Sequence, residues 1–194
     1  INYGLCAIKG VGESAAKHIS EERDENGLFE SLDNFCSRVN LNTVNSGTIE
    51  SLISSGCFDN ISEDSRTINI ENLNKIMSHG HKKQINQASG QNELFSPDQS
   101  ISDDNTMKTN IKISPTNDEL TRERKVLGHY LSSHPINKYR DELREMNLQN
   151  IFSINEIILK DISSKINTTV SGVIIDSRTQ KVGKNKYINI FKVD

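Results

Sequence analysis

No stretch of the 194-residue chain is apolar for long enough to span a bilayer, and no basic, apolar and small-residue leader opens it. A membrane partner is therefore not expected. Tryptophan is absent and hydrophobic residues make up only 34%. So low an apolar fraction implies a polar linker or tail somewhere in the chain. Cysteine is scarce and odd in number: Cys6, Cys36 and Cys57 form no C-x-x-C pair. That excludes a disulfide framework, fits a reduced cytoplasmic compartment, and leaves each cysteine as a small buried hydrophobe. His79, His81, His129 and His134 lack cysteines or acids at ligand spacing, so no metal site is expected. No Gly-Lys-Ser/Thr follows a glycine turn, which removes a P-loop.

What is present starts at Ile8. Residues 8–16 read I-K-G-V-G-E-S-A-A. Two glycines around one apolar residue expose backbone N–H groups at a helix start, which suits a phosphate oxygen. Tyr3, Leu5 and Ile8 supply a short apolar helix before the turn; Ala15, Ala16 and Ile19 repeat at helical spacing after it. Glycine is expected at Gly10 and Gly12 because a side chain would obstruct the turn or an approaching backbone. Helix, Gly-Val-Gly, helix is the pattern of a helix-hairpin-helix, with Lys9, Gly10, Val11 and Gly12 as the DNA-binding residues. The same stretch also satisfies G-x-G-x-x-A, the dinucleotide fingerprint, which requires a preceding strand. An ordinary helix turn retained for packing is the third reading.

Five segments follow from composition: a tandem helix-hairpin-helix at 1–60, a longer helix at 61–95, a disordered linker at 96–117, a helical segment at 118–160 and strands at 161–194. The fold class is mainly α with a small β part. Within the first unit, helices are expected at 13–23, around Leu32 to Val39, and from a cap at Thr43–Ser46 to Gly56. The longer helix weakens around Gly80. Order returns at a Thr116–Glu119 cap, with Leu120, Leu127, Tyr130 and Leu131 on one face, and Ser132–Pro135 stops that helix. Short helices near 138–146 and 155–160 precede strands at 168–177 and 187–193, joined by a turn at 182–185.

Charge is unevenly placed. Residues 1–60 carry four basic and nine acidic side chains, a net of −5, which weakens any grip on phosphate. Residues 160–194 carry seven basic against three acidic, with Lys181, Lys184 and Lys186 clustered at the turn as further DNA-binding candidates. Gln91, Leu94 and Phe95 form a second constellation: two large apolar side chains in a polar surround, shaped for a partner's apolar pocket with the Gln amide at its rim. Folding back onto the helical unit is the alternative for these two side chains.

Several segments in order resemble one family, the alpha subunit of bacterial DNA polymerase III, a C-family replicative polymerase. They are Tyr3 to Glu13, Ser31 to Cys36, Ile49 to Asp59, Gly90 to Phe95, Glu123 to Pro135, and Val170 to Val173. The resemblance implies a C-terminal fragment with tandem helix-hairpin-helix elements beside duplex DNA. It implies that Gln91, Leu94 and Phe95 hold the sliding clamp, and that the final strands open an OB-fold. Other holoenzyme subunits are implied partners. No catalytic residue and no cofactor fall in this segment, since the carboxylates that hold divalent metal, magnesium, lie upstream. Where the family carries a basic pair before the second helix, this chain has Ser46-Gly47. The alternatives are an accessory domain of a DNA-repair nuclease or ligase using the same hairpin, and a scaffold that binds neither DNA nor clamp.

Overall fold

The computed structural model describes residues 3–88, 115–146, 148, 154, 167–184 and 186–194, and of 87 and 88 the backbone alone. Two compact units result, Ile1–Ser133 and His134–Asp194. The fold is mainly helical with one two-stranded antiparallel sheet.

In the first unit a 3-10 turn at Leu5–Ala7 precedes α1 (Glu13–Asn26), α2 (Leu32–Arg38), α3 (Ser46–Ser54), α4 (Arg66–Ala88) and α5 (Asn117–Leu127). The apolar helix expected before the hairpin is thus a single turn; Gly4 and Gly10 leave too short a run between them for an α-helix. Periodicity places one face of each helix in a shared core that includes Ile19, Phe35, Ile49, Leu52 and Leu73. Phe35 is its centre, edge-on to Phe29 at 4.8 Å and to Phe58 at 5.1 Å. Ser31 caps α2 through the Asn34 amide at 3.0 Å, and Asn45 caps α3 through the Thr48 amide at 3.0 Å. Arg38 ties the end of α1 to α2, donating to the Gly27 carbonyl at 2.9 Å and to Glu22 Oε1 at 3.0 Å.

Two helical details differ from the sequence reading. The long helix begins at Arg66 rather than near 61, and it runs through Gly80 without a break. Gly80 is buried, and a Cβ there would stand 2.6 Å from the Cys36 carbonyl oxygen. It is a contact point of α4 on α2, fixed by Gln84, which donates to the carbonyls of Val39 at 2.7 Å and Cys36 at 3.1 Å. The second detail is α5, which stops at Leu127 because Gly128 adopts φ 84° as its C-cap. Tyr130 and Leu131 continue the apolar spacing but lie beyond the helix. Thr116 and Glu119 form a full capping box at its start.

The cysteines divide. Cys36 is buried and its thiol is pushed up to about 12 by burial and the nearby Asp33 charge. Cys6 and Cys57 are exposed, so they are not the buried hydrophobes expected from composition.

The second unit holds a 3-10 helix at Pro135–Tyr139, α6 (Arg140–Glu145), β1 (Ile174–Lys181) and β2 (Tyr187–Val193). Lys181 pairs with Tyr187 and Thr179 with Asn189; an irregularity between Ile174 and Asp176 shifts the register. β1 lies later than the expected 168–177, because pairing with β2 rather than local apolar content sets its ends. Ile174, Tyr187, Phe191 and Val193 are exposed. The helix expected at 155–160 and the linker at 96–117, apart from Pro115 to Asn117, lie outside the described residues. No helix among the described residues is long and apolar enough to cross a membrane.

Candidate nucleic-acid interface

The hairpin is a turn closed by the Val11 amide donating to the Ile8 carbonyl at 3.0 Å. Ile8 and Val11 are buried and pin it to the core, which leaves Lys9, Gly10, Gly12 and Glu13 exposed. Before it stands a 3-10 turn, not a strand, so the βαβ context of a dinucleotide fingerprint is missing.

The two glycines have different physical reasons. Gly10 sits at φ 98°, and a Cβ there would overlap the Ser51 hydroxyl on α3. Its carbonyl also accepts from Thr48 Oγ1 at 3.3 Å. Gly10 is therefore needed to seat the hairpin on the second helical pair. Gly12 has an ordinary φ of −75°, and nothing lies within 4 Å of where its Cβ would be. The fold does not require glycine at position 12. Its effect is outward: α1 starts with no side chain over its first amides.

That makes α1 unlike the other helix starts of the unit. Ser31 caps α2, Asn45 caps α3, and Thr116 caps α5. At the start of α4, Glu119 accepts from the Thr67 amide at 3.1 Å and Ser65 Oγ from the Ile68 amide at 3.3 Å. In the second helical pair the Thr48 amide at the start of α3 is already taken by Asn45. That agrees with Ser46-Gly47 standing where a basic pair was expected.

A buried ionic cluster lies behind the interface, and sequence reasoning missed it. Glu123 has no exposed surface; it accepts from Arg66 Nη1 at 2.6 Å, from the Ser132 amide at 2.8 Å, and from the Leu131 amide and Ser132 hydroxyl. Burial pushes its carboxyl up, but these four donors outweigh burial and hold it below the ordinary value. Arg66 Nε also donates to Asp59 at 2.9 Å; the Asp59 and Glu123 carboxylates together raise the guanidinium further against its own burial. The Glu-Arg-Lys-Val-Leu-Gly run at 123–128 was visible, but the Glu123 partner sits 57 residues away.

The same helix reaches the hairpin itself. The Lys9 amide donates to the Val126 carbonyl at 2.9 Å, and Tyr3 Oη to the Leu127 carbonyl at 3.4 Å. Lys181, Lys184 and Lys186 are exposed at and beside the turn of the strand pair in the second unit. Gln91, Leu94 and Phe95 lie outside the described residues. Among the described residues no group of three or more His, Cys, Asp or Glu side chains could hold a metal ion.

Comparison with known proteins agrees with this geometry. Residues 1–68 match the family described as the helix-hairpin-helix motif. Over its whole length the chain is similar to the DNA polymerase III subunit alpha of Haemophilus influenzae, 31% identical over 198 residues, and of Pasteurella multocida, 32% over 203 residues. Three quarters of it is similar to that of Neisseria meningitidis, 34% identical over 149 residues, which is 75% of this chain and 12% of the relative. The chain spans 16% of the length of the first two relatives.

Proposed function

The chain belongs to the family of DNA polymerase III alpha subunits, and on that premise we propose that it serves DNA replication by holding rather than by catalysing. Its hairpin grips the phosphate backbone of template–primer DNA, and Gln91, Leu94 and Phe95 tether the sliding clamp. The observation that carries the first half is the open start of α1. Gly12 leaves the first-turn amides uncovered, where helix dipole and N–H donors favour a phosphate oxygen without reading sequence. Lys9 stands exposed beside them.

The grip is weak by itself, because residues 1–60 carry a net charge of −5. The exposed Lys181, Lys184 and Lys186 add electropositive surface, and the strand pair is the start of an OB-fold that binds single-stranded nucleic acid. Full burial of Leu94 and Phe95 in a clamp pocket contributes at most about 3–6 kcal/mol. After ordering costs that is an affinity near the millimolar end, useful when DNA and clamp are held by the same polypeptide. Nucleotidyl transfer with divalent metal belongs to other parts of the polymerase, and other holoenzyme subunits complete the assembly.

The test is duplex-DNA affinity of the full chain against its Lys9→Ala and Gly12→Val variants. Both are expected to bind more weakly with unchanged melting temperature. Equal affinity in all three overturns the hairpin reading.

A further inference from the structure

We propose that α5 supplies a second part of the DNA-contacting surface, with Lys125 and Arg122 acting alongside Lys9 on the phosphate backbone of duplex DNA. This rests on the hairpin reading above and extends it beyond residues 1–68, the stretch that matches the helix-hairpin-helix family.

Three observations carry it. First, the hydrogen bond from the Lys9 amide to the Val126 carbonyl joins the hairpin to the last turn of α5 at 2.9 Å. Lys125 is the neighbour of that carbonyl, and Arg122 lies one turn earlier on the same flank as Val126.

Second, the cations at this junction hold no acid among the described residues. Elsewhere in the unit Lys17, Arg23, Arg38, Arg66 and Lys83 are each engaged with a carboxylate, while the exposed Lys75 and Lys82 of α4 are not. Lys9, Arg122 and Lys125 are in no such pair; Lys9 and Lys125 are exposed, whereas Arg122 is half-buried with its Nη1 enclosed away from solvent. An unpaired cation keeps the counterions that a phosphate exchanges on binding.

Third, two of the three acids of α5 are withdrawn from the surface, and Asp118, exposed in its first turn, is the one that remains there. Glu119 and Glu123 are buried and engaged with Thr67 and with Arg66. The net of −5 over residues 1–60 therefore understates the positive charge beside the hairpin, because α5 arrives from far along the chain. Glu13, exposed at the start of α1, and Glu50, exposed beside Ser51 on α3, are acids near the hairpin.

The experiment measures affinity of the full chain for a 20-base-pair duplex of mixed sequence across a salt series. Lys125→Gln changes an exposed side chain. Its log–log salt slope is expected to fall by about 0.9, as it should for Lys9→Ala. Arg122→Gln should lower the slope likewise, while Arg122→Lys keeps it, which separates charge from packing. Lys82→Gln, an exposed change on α4, should leave it unaltered. A reduced slope for Lys9→Ala with none for Lys125→Gln and Arg122→Gln overturns the role of α5 and leaves the hairpin reading intact. No change in any variant overturns the hairpin reading and this inference with it. An equal fall for Lys82→Gln shows unlocalised charge and also overturns it.

Discussion

Glu119 terminates two helices at once: one carboxylate oxygen accepts from the Thr67 amide at the start of α4, and the other from the Thr116 amide at the start of α5. One turn further on, Glu123 receives Arg66. Together they fasten α5 to the helical unit. With Glu123 fully buried, removing Arg66 leaves it an uncompensated buried charge, whereas removing Glu123 leaves Arg66 still paired with Asp59. Arg66→Ala should cost about 3–5 kcal/mol, and Glu123→Ala less. Urea unfolding of the full chain checks it, and a loss below about 1 kcal/mol would show the pair to be screened like a surface bridge.

The same carboxylates set an acid limit. Burial acts to raise Glu119, but the Thr116 and Thr67 donors and the Arg66 charge outweigh it, so both Glu119 and Glu123 titrate below their ordinary value of 4.5. A depressed folded value contributes stability that is complete above the unfolded value and is lost as pH falls through the folded one. The urea midpoint should hold from pH 7 to about 5 and drop below 4.5. Glu119→Gln should flatten that drop; a decline between pH 7 and 5 would point to another group.

Gly80 reverses a common rule. Replacing a mid-helix glycine by alanine in an exposed position gains about 1 kcal/mol. Here the added Cβ meets the Cys36 backbone carbonyl at 2.6 Å, so α4 must move away from α2. Gly80→Ala should instead destabilise by about 1–3 kcal/mol. Thermal melting decides the sign.

The hairpin glycines should separate stability from binding. Gly10→Ala places a side chain at φ 98° and onto Ser51, so it should cost about 1–2 kcal/mol or more in stability. Gly12→Ala meets nothing and should change stability by less than about 1 kcal/mol. Its DNA affinity should fall all the same. Comparing melting and duplex binding for the two variants checks the division of roles.

For the clamp, Leu94→Ala with Phe95→Ala should abolish binding of the purified clamp and leave duplex-DNA affinity unaltered. A peptide spanning Ala88 to Pro97 should bind weakly and lose that binding with the same pair of changes. Undiminished clamp binding by the double variant would remove these residues from the tether.

Local chemistry made much of the fold legible. Asn45, within the Thr43–Ser46 stretch, and the Thr116–Glu119 cap announce helix starts, and Leu32, Phe35 and Cys36 mark a core face by spacing alone. What could not be read is pairwise and distant. Gly80 looks like a helix breaker until Cys36 is placed against it, and Gly10 looks like a ligand position until Ser51 is. Gly128 ended α5 where the apolar period through Tyr130 and Leu131 argued for continuation, because a left-handed glycine outweighs periodicity. At the interface, the Lys9 hairpin was readable from its glycines. Arg122 and Lys125 were not, since only tertiary contact brings Val126 to Lys9.

The double cap at Glu119 joins the start of α4 to the start of α5, two points 52 residues apart in the chain. The two helices meet through Glu119 on Thr67 and Glu123 on Arg66, near residues 66–67 and 119–123. The contacts described between α4 and α5 therefore lie at one end of α4 and along α5, far in sequence from one another.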